Sequence, residues 1–221
     1  MPFLQFLRSL DDLLYELMSW LIFFPVTLFR AIVSPLATMR YADRELSEDV
    51  DRQYDETLSP PQFLLVSLLT SHFIELAVVG QSELVTDKVG LAALVSDDTS
   101  LLLLRLAFFS FFPIIIAFNM VRHSGKRLTR DTLRDPFYAQ CFPVGPFALA
   151  LSVGTIAGQI ERPWIVIAGA FLMLASVVWF LAVQVLWFHQ RLQIHPLKAV
   201  AVAVWAVAQC VVALAGVMHV V

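Results

Sequence analysis

The chain has 221 residues, of which 59% are hydrophobic and 15% charged, and its mean hydropathy is +0.76. Soluble domains carry nearer a quarter charged residues, and helices satisfy their own backbone groups in lipid, so this composition predicts an all-α, polytopic transmembrane helix bundle. The formal net charge of -3 offers no basic excess of the kind a nucleic acid selects.

The opening stretch, MPFLQFLRSLDDLLYEL, lacks a basic n-region and carries Asp11, Asp12 and Glu16, which argues against a secretory signal peptide. Gln5, Arg8, Asp12, Glu16 and Ser19 recur at spacings of three and four, with Phe3, Leu7, Leu10, Leu14, Leu17 and Leu21 opposite. That is the pattern of an amphipathic helix. The 13 uncharged residues between Glu16 and Arg30 reach only about 20 Å as helix, against a hydrocarbon core of about 30 Å. Residues 1–40 are therefore expected to form an amphipathic, interfacial or re-entrant membrane segment broken by Pro25 and Pro35. The rival is a sixth, amino-terminal span. Residues 41–58 hold seven acids against two arginines and read as an acidic cytoplasmic linker, solvated and partly helical.

Residues 59–221 are expected to form a five-helix transmembrane domain. Ser59 followed by Pro60 and Pro61 is helix-start chemistry. The spans are placed at 59–80, 100–121, 137–158, 163–188 and 197–221, each near the ~20 residues a crossing needs. The stretch FFSFFP at 108–113 reads as packing and lipid-facing bulk. Between the first two spans, an apolar insert from Val89 to Val95 is expected on the outer surface. Arg8, Arg30, Arg40, Arg44, Arg52, Arg122, Lys126, Arg127, Arg130, Arg134, Arg191 and Lys198 all fall on one side of this topology, and Lys88 and Arg162 on the other. The bias predicts a cytoplasmic amino terminus and an external carboxyl terminus, and the expected location is a bacterial inner (plasma) membrane.

Several polar residues lie inside these spans. His72 and Glu75 share a face of the first, and Arg105 lies at similar depth in the second, so Glu75 and Arg105 are expected to pair. The group reads either as a structural ion pair with His72 beside it, or as a polar site for a headgroup, solute or proton. Two ligands are too few for a metal, and no cofactor is implied. In the third span Pro143, Gly145 and Pro146 predict a kinked or unwound helix, with Tyr138 and Gln140 as the nearest polar side chains of a broken-helix site. Gly154 and Gly158 form a small-residue face for close helix packing. Gln184 and Gln209 are placed to bridge the last two helices. Cys141 and Cys210 differ in depth by roughly 15 Å on this topology, too far for a disulfide.

The acidic amino-terminal segment, the LSPPQFL entry, the DPFYAQCF lead into the third span and the five closely spaced helices resemble the Yip1-like family over about residues 58–221. That group includes small bacterial proteins labelled permeases. Its eukaryotic members act in membrane trafficking and shaping through partner proteins, and the resemblance implies no catalytic residue. The expected function is a non-enzymatic helix-bundle subunit of a larger membrane assembly, in a transport, trafficking or scaffolding role. Its partners are then the lipid bilayer and other membrane proteins or further copies of itself. The alternative is a self-sufficient permease or lipid-handling protein built on the intramembrane polar residues. An intramembrane enzyme is a third class, for which only His72 and Glu75 lie together at one depth.

Overall fold

The computed structural model describes residues 2–48, 54, 57–80 and 98–220, and these form helices and their connections with no strand among them. In chain order the helices are α1 (Pro2–Val33), α2 (Pro35–Glu45), α3 (Pro60–Val78), α4 (Asp98–His123), α5 (Arg130–Gly158), α6 (Pro163–Leu192) and α7 (Pro196–Val220). Prolines open α2, α3, α6 and α7, where a missing N–H goes unmissed and φ is preset for the helix. Thr129 caps α5 in a reciprocal box with Thr132. The insert Val89 to Val95 lies outside the described residues.

Five stretches are long and apolar enough to cross a membrane: Leu14–Val33, Pro60–Val78, Arg130–Gly158, Pro163–Leu192 and Pro196–Ala213. The described apolar part of α4, Ala107–His123, is shorter and belongs to a helix of 26 residues. The set thus includes the amino-terminal stretch that was expected to be too short. A count stopping at Glu16 and Arg30 underestimates it, because Glu16 is accommodated: its carboxylate accepts from the Trp20 indole at 3.0 Å and from the Gln62 amide at 3.1 Å. Pro25 does not break α1, which stays continuous over 32 residues. The chain turns instead at Ser34, immediately before Pro35.

α1 packs against α5, α2 and the head of α3. The Leu58 N–H donates to Thr27 Oγ1 at 3.4 Å, the Phe24 and Phe63 rings lie 5.7 Å apart, and Gln62 reaches Glu16. From Leu14 to Val33 only Thr27 and Ala31 are buried.

The linker is partly helical at its start, but the helix is docked rather than solvated. α2 packs across α5, burying Thr38, Met39, Ala42 and Glu45. Alternation of small and charged residues in PLATMRYADRE lets one face dock while Arg40 and Arg44 stay exposed.

α5 is the central helix, in contact with α1, α2, α3, α4 and α6, while α7 closes on α4 and α6. Every residue from Ala139 to Ala148 is buried. The expected unwinding is absent, for α5 is continuous through Pro136, Pro143 and Pro146. An interior proline costs about 3 kcal/mol in an isolated helix, but here packing on all sides holds the backbone helical. The core beside it is aromatic: Phe147 stacks on Phe180 at 4.4 Å, and Phe112 meets both rings edge-on at 5.6 and 6.2 Å. Phe112 and Pro113 of FFSFFP are thus buried, the packing part of the expectation.

Candidate functional site

The polar face of α3 turns inward. Ser67, Ser71, His72 and Glu75 are all buried, at spacings of three and four that align them on one side. The Ser67 and Ser71 hydroxyls are satisfied locally, donating to the carbonyls of Phe63 and Leu68 at 2.8 Å each. His72 is 5% exposed, and its Nδ1 has no hydrogen-bond partner among the described residues. The side chain of Arg105 lies outside the described residues, and with it the expected Glu75–Arg105 pair.

The proline-rich segment of α5 is filled rather than open. A Cβ added at Gly145 would sit 2.5 Å from Phe63 Cε1 and 2.9 Å from Ser67 Oγ, so this glycine is where α3 and α5 touch. Gln140 and Gln184 exchange two amide hydrogen bonds of 3.0 and 2.8 Å. Gln209 bonds instead to Asn119 of α4, at 2.6 Å. The expected Gln184–Gln209 bridge is therefore replaced by two others: α6 and α7 touch, but Gln184 faces α5 and Gln209 faces α4. Of the two packing glycines, Gly154 is in close contact: its carbonyl oxygen would lie 2.9 Å from a Cβ on Gly169. A Cβ on Gly158 would meet nothing within 4 Å. The small-residue seam is thus Gly154, Ala157 and Gly169, and Gly158 is no part of it. Cys141 and Cys210 are buried free thiols.

The opposite end of α3, α5 and α6 carries the charges. α2 is fastened to α6 by Arg40 Nη1 donating to Gln190 Oε1 at 3.0 Å and by a 3.0 Å salt bridge from Arg191 to Asp43. The Arg191 guanidinium also lies 5.8 Å from the Trp187 ring centre. Burial raises the Asp43 pKa, Arg191 pulls it back, and the neighbouring Asp135 charge raises it further. Tyr54, at φ +64°, donates its backbone N–H to the Glu45 carboxylate, and its phenol pKa is pushed up, chiefly by burial.

Three sizeable cavities open at this end. One of about 570 Å³ is lined by Ala37, Arg40, Asp43, Arg44 and Arg191. A second, of about 510 Å³, includes Lys126, Asp131, Asp135 and Arg191. The third, also about 510 Å³, includes Arg130, Arg134 and Tyr138. Tyr138 thus belongs to the charged end, apart from the packed Gln140 to Pro146 segment. His72 and Glu75 line none of the three. Among the described residues no three His, Cys, Asp or Glu side chains converge as metal ligands would.

Sequence reasoning missed the contact of α2 with α6, which joins residues 150 positions apart. Its one visible trace is the spacing of Arg40, Asp43 and Arg44 on a short helix opened by Pro35. The fold and its apolar helices define a multi-pass helical membrane protein. No protein-family model, curated protein or solved structure matches the chain.

Proposed function

We propose that the protein is a non-enzymatic helix-bundle subunit of a larger membrane assembly, seated with its charged end in the cytoplasm. One observation carries this reading: α5 fills the centre of the bundle. The segment where a transporter would open a helix to hold a solute is buried at every residue from Ala139 to Ala148 and closed by Phe63 and Ser67. A packed centre suits a scaffold, which presents its outer surfaces to partners or further copies. α6 supplies such a surface, with Trp164, Ile167, Phe171, Leu174 and Val178 all exposed. The test is purification from the native membrane in mild detergent, with the mass of the intact complex measured. A partner chain at fixed stoichiometry, or a defined oligomer of this chain, is the expected result. A lone chain carrying a bound solute sinks the reading.

The buried Nδ1 of His72 beside Glu75 favours a second reading, a permease or lipid-handling protein with its site on α3. Breaking a buried ion pair costs about 3–5 kcal/mol, while replacing both partners can be nearly neutral. If Glu75 pairs with Arg105, either residue changed to Leu lowers folded yield and the double change restores it. A restored double variant that no longer supports function favours this second reading; one that still does favours the scaffold.

A further inference from the structure

We propose that the groove between α2 and the end of α6 binds the phosphate of an anionic phospholipid, whose acyl chain lies along the exposed face of α6. Three guanidinium groups, Arg40, Arg44 and Arg191, line this one cavity, with Asp43 as the single carboxylate. Arg40 and Arg44 are one helical turn apart on α2, so both project from the same face, and Arg191 is brought to them from α6. Asp43 neutralises one of the three charges through its salt bridge to Arg191. The groove therefore retains two positive charges from its lining residues.

The donors are well supplied. A guanidinium carries five N–H groups in a planar fork suited to phosphate oxygens. The Arg40 contact to Gln190 and the Arg191 contact to Asp43 each engage one nitrogen. Arg44 lies 6.0 Å from the Tyr41 ring centre, an arrangement that orients the plane while leaving its edge as donor.

The occupant is specified by what adjoins the groove. Along one side of α6, Leu172, Ala175, Ala182, Leu186 and Gln190 fall within about 80° of one another, and all five are exposed. The first four are apolar, and the fifth is the residue that holds Arg40. An apolar stripe thus runs down one helix and ends at a cluster of guanidiniums. This is the profile of a phospholipid, with its chain on the stripe and its phosphate in the groove. A soluble phosphate ion would make no use of the stripe. The proposal needs only a chain seated in a membrane and is independent of the subunit reading.

Native mass spectrometry of the full chain in detergent, titrated with phosphatidic acid or with phosphatidylcholine, tests it. The wild type is expected to retain phosphatidic acid about tenfold better than phosphatidylcholine, and Arg40→Gln/Arg44→Gln to lose that preference. Both arginines are exposed, so an unchanged thermal midpoint confirms that the variant is folded. Arg40→Lys/Arg44→Lys keeps the charge without the fork and is expected to retain an intermediate preference. If the double Gln variant proves unstable, Arg44→Gln alone carries the test, with a reduced preference expected. Equal retention of the two lipids by the wild type overturns the proposal, as does an unaltered preference in a folded Gln variant. Saturable binding of inorganic phosphate without any lipid preference also overturns it, by assigning the groove to a soluble ligand.

Discussion

Gln140 of α5 and Gln184 of α6 face one another inside the bundle, each amide donating to the other's carbonyl oxygen at 3.0 and 2.8 Å. They are 0% and 1% exposed, so neither can turn to solvent. Changing one to Leu strands the other's amide in an apolar interior, at a cost of about 1–2 kcal/mol. Gln140→Leu and Gln184→Leu should each lower the thermal midpoint in detergent, and the double variant should recover most of the loss. Additive losses would show that the pair is not a unit.

The seam between α5 and α6 sets Gly169, which it encloses, apart from Gly158, which it leaves open. A Cβ at Gly169 would fall 2.6 Å from Ala157 Cβ and 2.9 Å from the Gly154 carbonyl oxygen, neither of which can swing aside. Gly169→Ala is expected to destabilise by about 1–3 kcal/mol through overpacking. Gly158→Ala, with open space around it, should stay within about 0.5 kcal/mol of wild type. Thermal unfolding of both in one detergent decides; equal effects would contradict the seam.

Asp43 makes stability depend on pH in a defined sense. Its folded pKa is raised above the ordinary 3.8, so the folded protein holds this proton more tightly than the unfolded chain does. Stability from this group is therefore greatest below 3.8 and declines as pH rises through the raised value. Asp43→Asn should remove that slope. The difference in midpoint between wild type and Asp43→Asn, measured across the acid range, should favour the variant increasingly as pH rises. A difference independent of pH would show that Asp43 is not the group responsible.

The contacts of Thr27, Phe24 and Glu16 with residues 58–63 gather α1 at the head of α3. The expectation to be tested is an α1 lying in the plane of the inner leaflet, against one that crosses. Ser9 is exposed and both native cysteines are buried, so Ser9→Cys offers one accessible thiol. A membrane-impermeant probe should label it in inside-out vesicles and not in intact cells. Labelling from outside would make α1 a sixth span.

The sequence by itself determined the class of the protein. Length of apolar run, proline at the head of a helix and scarcity of charge are local properties, and they located α3, α4, α6 and α7 to within about four residues at either end, while α5 begins well before the expected 137, at Arg130. The interior was another matter. Pro143, Gly145 and Pro146 read locally as a break, yet α5 is continuous because five other helices enclose it. α1 was underestimated because Glu16 finds Trp20 and Gln62 as partners, and the second of these is 46 residues away. Gln184 could have met any mid-membrane amide, and only the placement of α5 beside α6 gave it Gln140. The arginine groove joins α2 to α6 across the greater part of the chain. Spacing along a chain reports what one helix presents on each face. Which faces meet is decided by how the helices share their buried surface, and that is a property of the packed bundle alone.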